Sequence, residues 1–193
     1  ANQFSWLDKS SNFMVVMNGL LYICSVNKLS CGSQPTTQEI YVQRAIPTHQ
    51  PNQILIVTTL KQPDGTAHFY YYDTKTRRQV EIKQLRKAPV YSGGLGGDGL
   101  PIIQDYIEYV DLSTDGKYLI LANWSPNFEI RDFSTGSQVM TFQGFYPQWL
   151  DDNRTFVDIN VQGSLVEVYS MNIETRVRTA LYTTNQPFNL IVP

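Results

Sequence analysis

A chain of 193 residues with 42% hydrophobic and 12% aromatic content, 17% charged residues and a formal net charge of −2 carries ample material for a packed core, which excludes a disordered protein. The slight negative charge speaks against a nucleic-acid binder, which needs a broad basic face to replace counterions along the phosphate backbone. No apolar run reaches the roughly 18 residues of a membrane helix; the longest, Phe13 to Ile23, is interrupted by Asn18-Gly19.

Strand-like runs separated by turn residues begin at once and recur. The expected first unit, 4-43, holds Phe4 to Asp8, Phe13 to Met17, Leu20 to Cys24 and a last strand at Glu39 to Val42. Between its third and fourth strands Cys24 and Cys31 flank a polar turn; if that turn is a hairpin, the two face each other and a disulfide forms, pointing to an oxidising compartment. The second unit, 44-85, reads as a weak strand near Ala45-Ile46, then Ile54 to Val57, His68 to Asp73 and Gln79 to Ile82. A glycine-rich insertion, 88-104, follows. The third unit, 106-143, is the clearest: its runs are broken only by Ser113-Thr114-Asp115-Gly116, Ser125-Pro126-Asn127 and Ser134-Thr135-Gly136, turns too short for anything but antiparallel neighbours. The fourth, 145-183, opens on Phe145 to Leu150, where Pro147 needs a position that asks for no ladder donor. It continues through Thr155 to Val161, Leu165 to Tyr169 and Val177 to Tyr182, and residues 187-193 read as one further closing strand.

Side chains repeat along with spacing. Trp6-Leu7-Asp8 matches Trp149-Leu150-Asp151, and polar turns containing Thr76, Thr135 and Thr175 follow the third strand of units two, three and four. A period near ~40 residues with four short strands per unit is the pattern of propeller blades, each burying its faces only by stacking on its neighbours. The expected fold is all-β: a β-propeller of four four-stranded antiparallel blades, forming either a small closed ring or an arc of a larger propeller.

Asp111-Leu112-Ser113-Thr114-Asp115-Gly116-Lys117-Tyr118-Leu119, followed by Ile130-Arg131-Asp132-Phe133-Ser134-Thr135-Gly136, resembles the blade motif of TolB-like and WD40-like propellers. Thr114 stands where those blades usually carry proline, and no Trp-Asp dipeptide is present. The resemblance implies a fold that hosts many functions.

The segments with chemical potential are few. Gly94-x-Gly96-x-x-Gly99 fits a dinucleotide fingerprint in letters, yet Leu100-Pro101-Ile102-Ile103 leads into a strand, so no helix N-terminus awaits a phosphate and no cofactor is expected. The insertion reads as a mobile loop or a binding loop. Lys75, Arg77, Arg78, Lys83, Arg86 and Lys87 concentrate positive charge beside it. They suit a solvated strand edge or a docking patch for an acidic protein partner. Neither His49 nor His68 is spaced to join the cysteines in a zinc site, and no nucleophile-histidine constellation appears. Asp8, Asp111 and Asp151 end opening strands, where they either cap turns or converge on a central channel as glycosidase-type carboxylates. The aromatics Phe69 to Tyr72 alternate between two covered faces, which packing explains.

The expected function is a non-enzymatic, protein-binding propeller scaffold of a cell-envelope or secretion assembly, with contacts from Lys75, Arg77, Arg78, Arg86, Lys87, Gly94 and Gly96. A carbohydrate-binding or glycoside-processing propeller, or the propeller portion of a larger hydrolase, is the alternative. A periplasmic or extracellular site fits the low charge and the cysteine pair; a start at Ala1 without an apolar leader fits either a mature protein after signal cleavage or an excised fragment. Self-assembly through exposed blade edges is expected as well.

Overall fold

The computed structural model describes residues 3–7, 11–33, 40–60, 67–85, 91–95, 101–103, 109–124 and 127–185. Strands β1 (Gln3–Trp6), β2 (Asn12–Met17), β3 (Leu20–Ser25) and β4 (Ser30–Ser33) form the first sheet, in that order. The second contains β5 (Ile40–Pro47), β6 (Gln53–Leu60), β7 (Ala67–Asp73) and β8 (Gln79–Glu81), followed by a 3-10 turn at Lys83–Leu85. Among the described residues, strands β9 (Tyr91–Leu95) and β10 (Pro101–Ile103) pair with each other alone. The third sheet is β11 (Tyr109–Leu112), β12 (Tyr118–Trp124), β13 (Asn127–Asp132) and β14 (Gln138–Gln143). The fourth is β15 (Gln148–Trp149), β16 (Thr155–Gln162), β17 (Leu165–Asn172) and β18 (Arg178–Thr184). Four four-stranded antiparallel blades in chain order are the expected propeller architecture.

Two expectations need correction. Glu39 to Val42 does not close blade one: Ile40–Pro47 pairs with Gln53–Leu60 and opens blade two. The closing strand is Ser30–Ser33, whose four residues are all exposed. An outermost strand facing water needs no apolar alternation, so Ser-Cys-Gly-Ser sends no strand signal while the β-branched run after it does. The glycine-rich segment is not simply a loop, since Tyr91–Leu95 and Pro101–Ile103 make a two-stranded ribbon with an irregular register. Residues 187-193 lie outside the described residues.

Each blade repeats the same hydrogen bond at its first turn: Leu7 N–H to Asn12 O, Thr48 to Gln53, Ser113 to Tyr118 and Leu150 to Thr155. This places Phe13, Ile54, Leu119 and Phe156 at one equivalent position. The turn after the third strand is equally regular in blades two, three and four. Asp73 Oδ1 accepts from Lys75 N and Thr76 N, Asp132 Oδ1 from Ser134 N and Thr135 N, and Asn172 Oδ1 from Glu174 N and Thr175 N. An Asx side chain replaces the missing backbone acceptors, which is the physical content of the repeated Asp/Asn-x-x-Thr pattern.

Strand alternation sends successive residues of each blade to opposite neighbours. Met14, Val16 and Leu21 of blade one meet Ile54, Ile56 and Tyr72 of blade two. Leu55, Val57 and Phe69 meet Val110, Leu119 and Leu121 of blade three, with Leu85 of the 3-10 turn closing the joint. Tyr118, Ile120 and Phe128 meet Phe156 and Tyr169 of blade four. The aromatic run after His68 is consumed by this packing: Phe69 and Tyr71 face one joint, Tyr70 and Tyr72 the other. Three joints hold four blades. Among the described residues no strand of blade four packs on blade one to the extent that joins successive blades, so the blades form an arc.

A candidate binding groove between the first two blades

Short hairpins put the first and third turns of every blade on one side of the arc, and that side is stitched across blades. Asp115 N–H donates to Asn153 Oδ1 at 2.8 Å, joining the first turns of blades three and four. Gly116 lies against the ring of His49, which brings blade two into the same rim. Between blades one and two the rim opens into a cavity of about 390 Å³. Leu7, Asn12 and Ile23 line it from blade one, and Pro47, Thr48, Gln50, Asn52, Gln53, Thr74 and Arg77 from blade two.

Local bonds set which of these groups remain available. Thr48 Oγ1 donates to Gln53 Oε1 at 3.0 Å and accepts from Gln50 N at 3.2 Å, fixing the turn. Thr74 N–H donates to Asn52 O at 2.8 Å, tying the two turns of blade two together. Asn52 and Arg77 both hold left-handed backbone, at φ 61° and 59°. The side chains of Gln50, Asn52 and Arg77 make no hydrogen bond or ion pair among the described residues. Lys75 and Arg78 flank Arg77 on the same exposed turn. The groove therefore offers one guanidinium and two carboxamides, with two further exposed cations on the turn that carries Arg77; such a set binds carboxylates and amide groups.

Of the other candidate contacts, Gly94 lies in β9, while Arg86, Lys87 and Gly96 are outside the described residues. Cys24 and Cys31 are opposite each other in the β3–β4 ladder and are disulfide-bonded, with Cα atoms 4.0 Å apart, slightly closer than a hairpin pair is expected to be. The lining amides Asn12, Gln50 and Asn52 carry no motif; only the Thr48-to-Asn52 turn, with its Gln-Pro-Asn, marks Gln50 and Asn52 as surface turn residues.

The acidic residues considered for sugar chemistry are placed differently. Asp111 lies at the joint of blades three and four, where burial pushes its carboxyl up to about 6, and the N–H groups of Trp149 and Leu112 offset only part of that. Its neighbour Tyr109 is pushed up as well, first by burial, and its hydroxyl donates to Pro147 O and accepts from Gln148 Nε2. Asp151 is exposed on the next turn, and Asp8 is outside the described residues. Asp111 is thus occupied in joining two blades. Among the described residues no three His, Cys, Asp or Glu side chains gather as a metal site. Nor is any helix there long and apolar enough to cross a membrane. Blade two also buries polar groups: His68 Nδ1 is 2.8 Å from Glu81 Oε1, and Thr58 lies across the ladder from His68.

No family model matches the sequence, and no curated protein matches it. Solved structures do. An oligogalacturonate lyase in complex with manganese is 10% identical at a TM-score of 0.68, over 94% of this chain and 52% of that one. A protein from Lactobacillus plantarum is 10% identical at a TM-score of 0.59, over 94% and 54%. The β-propeller domain of Cps50 (Swd1) from Myceliophteria thermophila is 12% identical at a TM-score of 0.53, over 93% and 57%. The chain spans about half the length of the structures it matches. Its fold is the β-propeller, present here as an arc of four blades.

Proposed function

We propose that this chain is a non-enzymatic propeller scaffold that binds an acidic, extended protein segment in the groove between blades one and two. Arg77 carries the reading: its guanidinium lines a preformed cavity among amide and hydroxyl groups and has no hydrogen bond or ion pair of its own among the described residues. A peptide carboxylate would take the guanidinium fork, Gln50 and Asn52 would pair with the peptide backbone, and Lys75 and Arg78 would steer acidic partners at low salt. Arg86, Lys87, Gly94 and Gly96 are proposed as further contacts of the same partner. The Cys24–Cys31 disulfide supports a periplasmic or extracellular setting, where such bonds persist.

The test is fluorescence anisotropy with a labelled Asp/Glu-rich peptide and a neutral peptide of equal length. Salt-sensitive binding of the acidic peptide alone is expected, weakened about tenfold or more by Arg77→Ala, the range of a lost charge-assisted hydrogen bond. Equal binding of both peptides, or indifference to Arg77→Ala, refutes the reading. An oligogalacturonate that binds where the acidic peptide does not would move the groove to the carbohydrate alternative.

A further inference from the structure

The two walls of the groove between blades one and two differ in chemistry. Blade two contributes the guanidinium of Arg77 and the carboxamides of Gln50 and Asn52. Blade one contributes two aliphatic side chains, Leu7 and Ile23, each packed on the core that Met14, Leu21 and Ile54 share and each only half-buried, so that its remaining surface lines the cavity. A carboxylate held by Arg77 makes no use of that second wall.

The ladder of blade one keeps the aliphatic wall open on its outer flank. Ile23 lies opposite Met14 on β2 and opposite Gly32 on β4. Residues opposite one another in an antiparallel pair share a face, so position 32 is the next place outward from Ile23 on the side turned toward blade two. A β-carbon there would meet no atom within 4 Å among the described residues. Gly32 sits in a regular ladder and is not among the residues with positive φ, so no turn asks for a glycine at this place. The Cys24–Cys31 bond spans the neighbouring rung and holds Gly32 in register beside Ile23. Room for a side chain therefore stands next to a half-buried aliphatic surface.

We propose, on the acidic-segment reading above, that the groove selects a segment with an aliphatic residue directly beside the acidic one, the carboxylate on Arg77 and the aliphatic side chain against Leu7 and Ile23 in the room that Gly32 leaves. Neighbouring side chains of an extended segment point to opposite sides, which matches a groove with one cationic and one aliphatic wall. The cavity, about 390 Å³, is of the size that holds a few side chains and not a folded surface. Gly32 is then a specificity-determining position, because any side chain there would fill the place of the bound one.

The test is fluorescence anisotropy on the oxidised 193-residue chain with three labelled peptides of equal length: glutamates around one central Leu, the same with Ser in its place, and the Leu peptide with every Glu replaced by Gln. The Leu–Glu peptide is expected to bind about tenfold or more tighter than the Ser–Glu peptide, as one aliphatic side chain taken out of water contributes, and the Leu–Gln peptide is expected not to bind. Gly32→Val pairs a β-branched residue with Ile23 on an exposed strand, so it should leave the urea midpoint and the Ser–Glu affinity unchanged while removing the advantage of Leu. Should Gly32→Val lower that midpoint, Gly32→Ala takes its place and is expected to reduce the advantage in part. Equal binding of the Leu–Glu and Ser–Glu peptides, both weakened by Arg77→Ala, overturns this proposal and leaves the acidic-segment reading standing. So does an advantage of Leu that survives undiminished at a substituted Gly32. Leu–Gln binding as tight as Leu–Glu, or no binding by any of the three, overturns both.

Discussion

A β-carbon on Gly144 would lie 1.4 Å from Oδ2 of Asp158, a carboxylate with no exposed surface. Asp158 Oδ1 accepts from the backbone N–H groups of Phe145, Tyr146 and Ile159 at 3.1, 2.8 and 2.7 Å, and Oδ2 from the Tyr169 hydroxyl at 3.2 Å. One buried acid therefore fixes the whole passage from blade three to blade four. Gly144→Ala must displace either the carboxylate or the connector, and a loss of about 2 to 4 kcal/mol is expected. Urea unfolding with an unchanged slope measures it. A loss well under ~1 kcal/mol would mean that the connector yields freely.

The turn after each third strand needs one left-handed residue, and the chain fills that position in two ways. Arg77 and Arg176 hold it at φ 59° and 57°, whereas Gly136 holds it at 72° with a would-be β-carbon 1.9 Å from Gln84 O. At Gly136 the backbone of Gln84, from the end of blade two, takes up the room a side chain would need. Arg176→Gly is accordingly expected to be neutral or to stabilise by up to ~1 kcal/mol, since it relieves left-handed strain at the cost of a looser unfolded chain. Gly136→Ala should cost about 2 kcal/mol or more through the clash. If thermal unfolding finds that Gly136→Ala loses no more than Arg176→Gly gains, backbone conformation alone governs the site.

Much of the blade repeat was legible because its chemistry is local. Asp132, Thr135 and Gly136 write a turn into five letters, and strand alternation assigns Phe69 and Tyr72 to opposite joints. The outermost strand of blade one was not legible, because Ser30 to Ser33 face water and no packing constraint marks their sequence. The groove was half legible. Arg77 stood out as part of a basic segment, but Gln50, Asn52 and Asn12 acquire meaning only when blades one and two are set side by side, a relation between residues up to 65 positions apart. Asp111 read as a channel carboxylate or a turn cap; in the structure it accepts from the N–H of Leu112 beside it and from that of Trp149 on the next blade, a cross-blade relation that no local spacing encodes.

Reduction of the Cys24–Cys31 bond should act on one edge of the molecule. The bond closes a loop with a sequence separation of 7 and pins β4, all of whose residues are exposed, to β3. A loop of that length contributes about 2 to 3 kcal/mol in the chain-entropy account. Hydrogen exchange on the reduced chain is expected to speed in Leu20–Ser25 and Ser30–Ser33 while the three inter-blade cores keep their protection. Equal acceleration in blades three and four would show that the bond supports the arc as a whole.

The stability of the arc should carry opposing acid terms in separate pH windows. Asp132 and Asp152 are held below the ordinary carboxylate range, first by the side-chain hydroxyls of Ser134 and Thr155 respectively, so what they contribute is lost as pH falls through the folded values, below about 4. Asp111 works the other way. Burial raises it from 3.8 to about 6, so between those values the unfolded chain loses its proton while the folded chain keeps it, and stability declines as pH rises. Above about 6 the deficit is complete, at most roughly 3 kcal/mol for a shift of this size. Asp111→Asn keeps an acceptor for the Trp149 N–H and removes the charge. Its stability relative to the parent chain should therefore climb from pH ~4 to ~6 and then level off, as read by urea unfolding at successive pH values. A difference that stays flat across that window would mean that Asp111 keeps an ordinary carboxyl despite its burial, and that the joint between blades three and four is open to water.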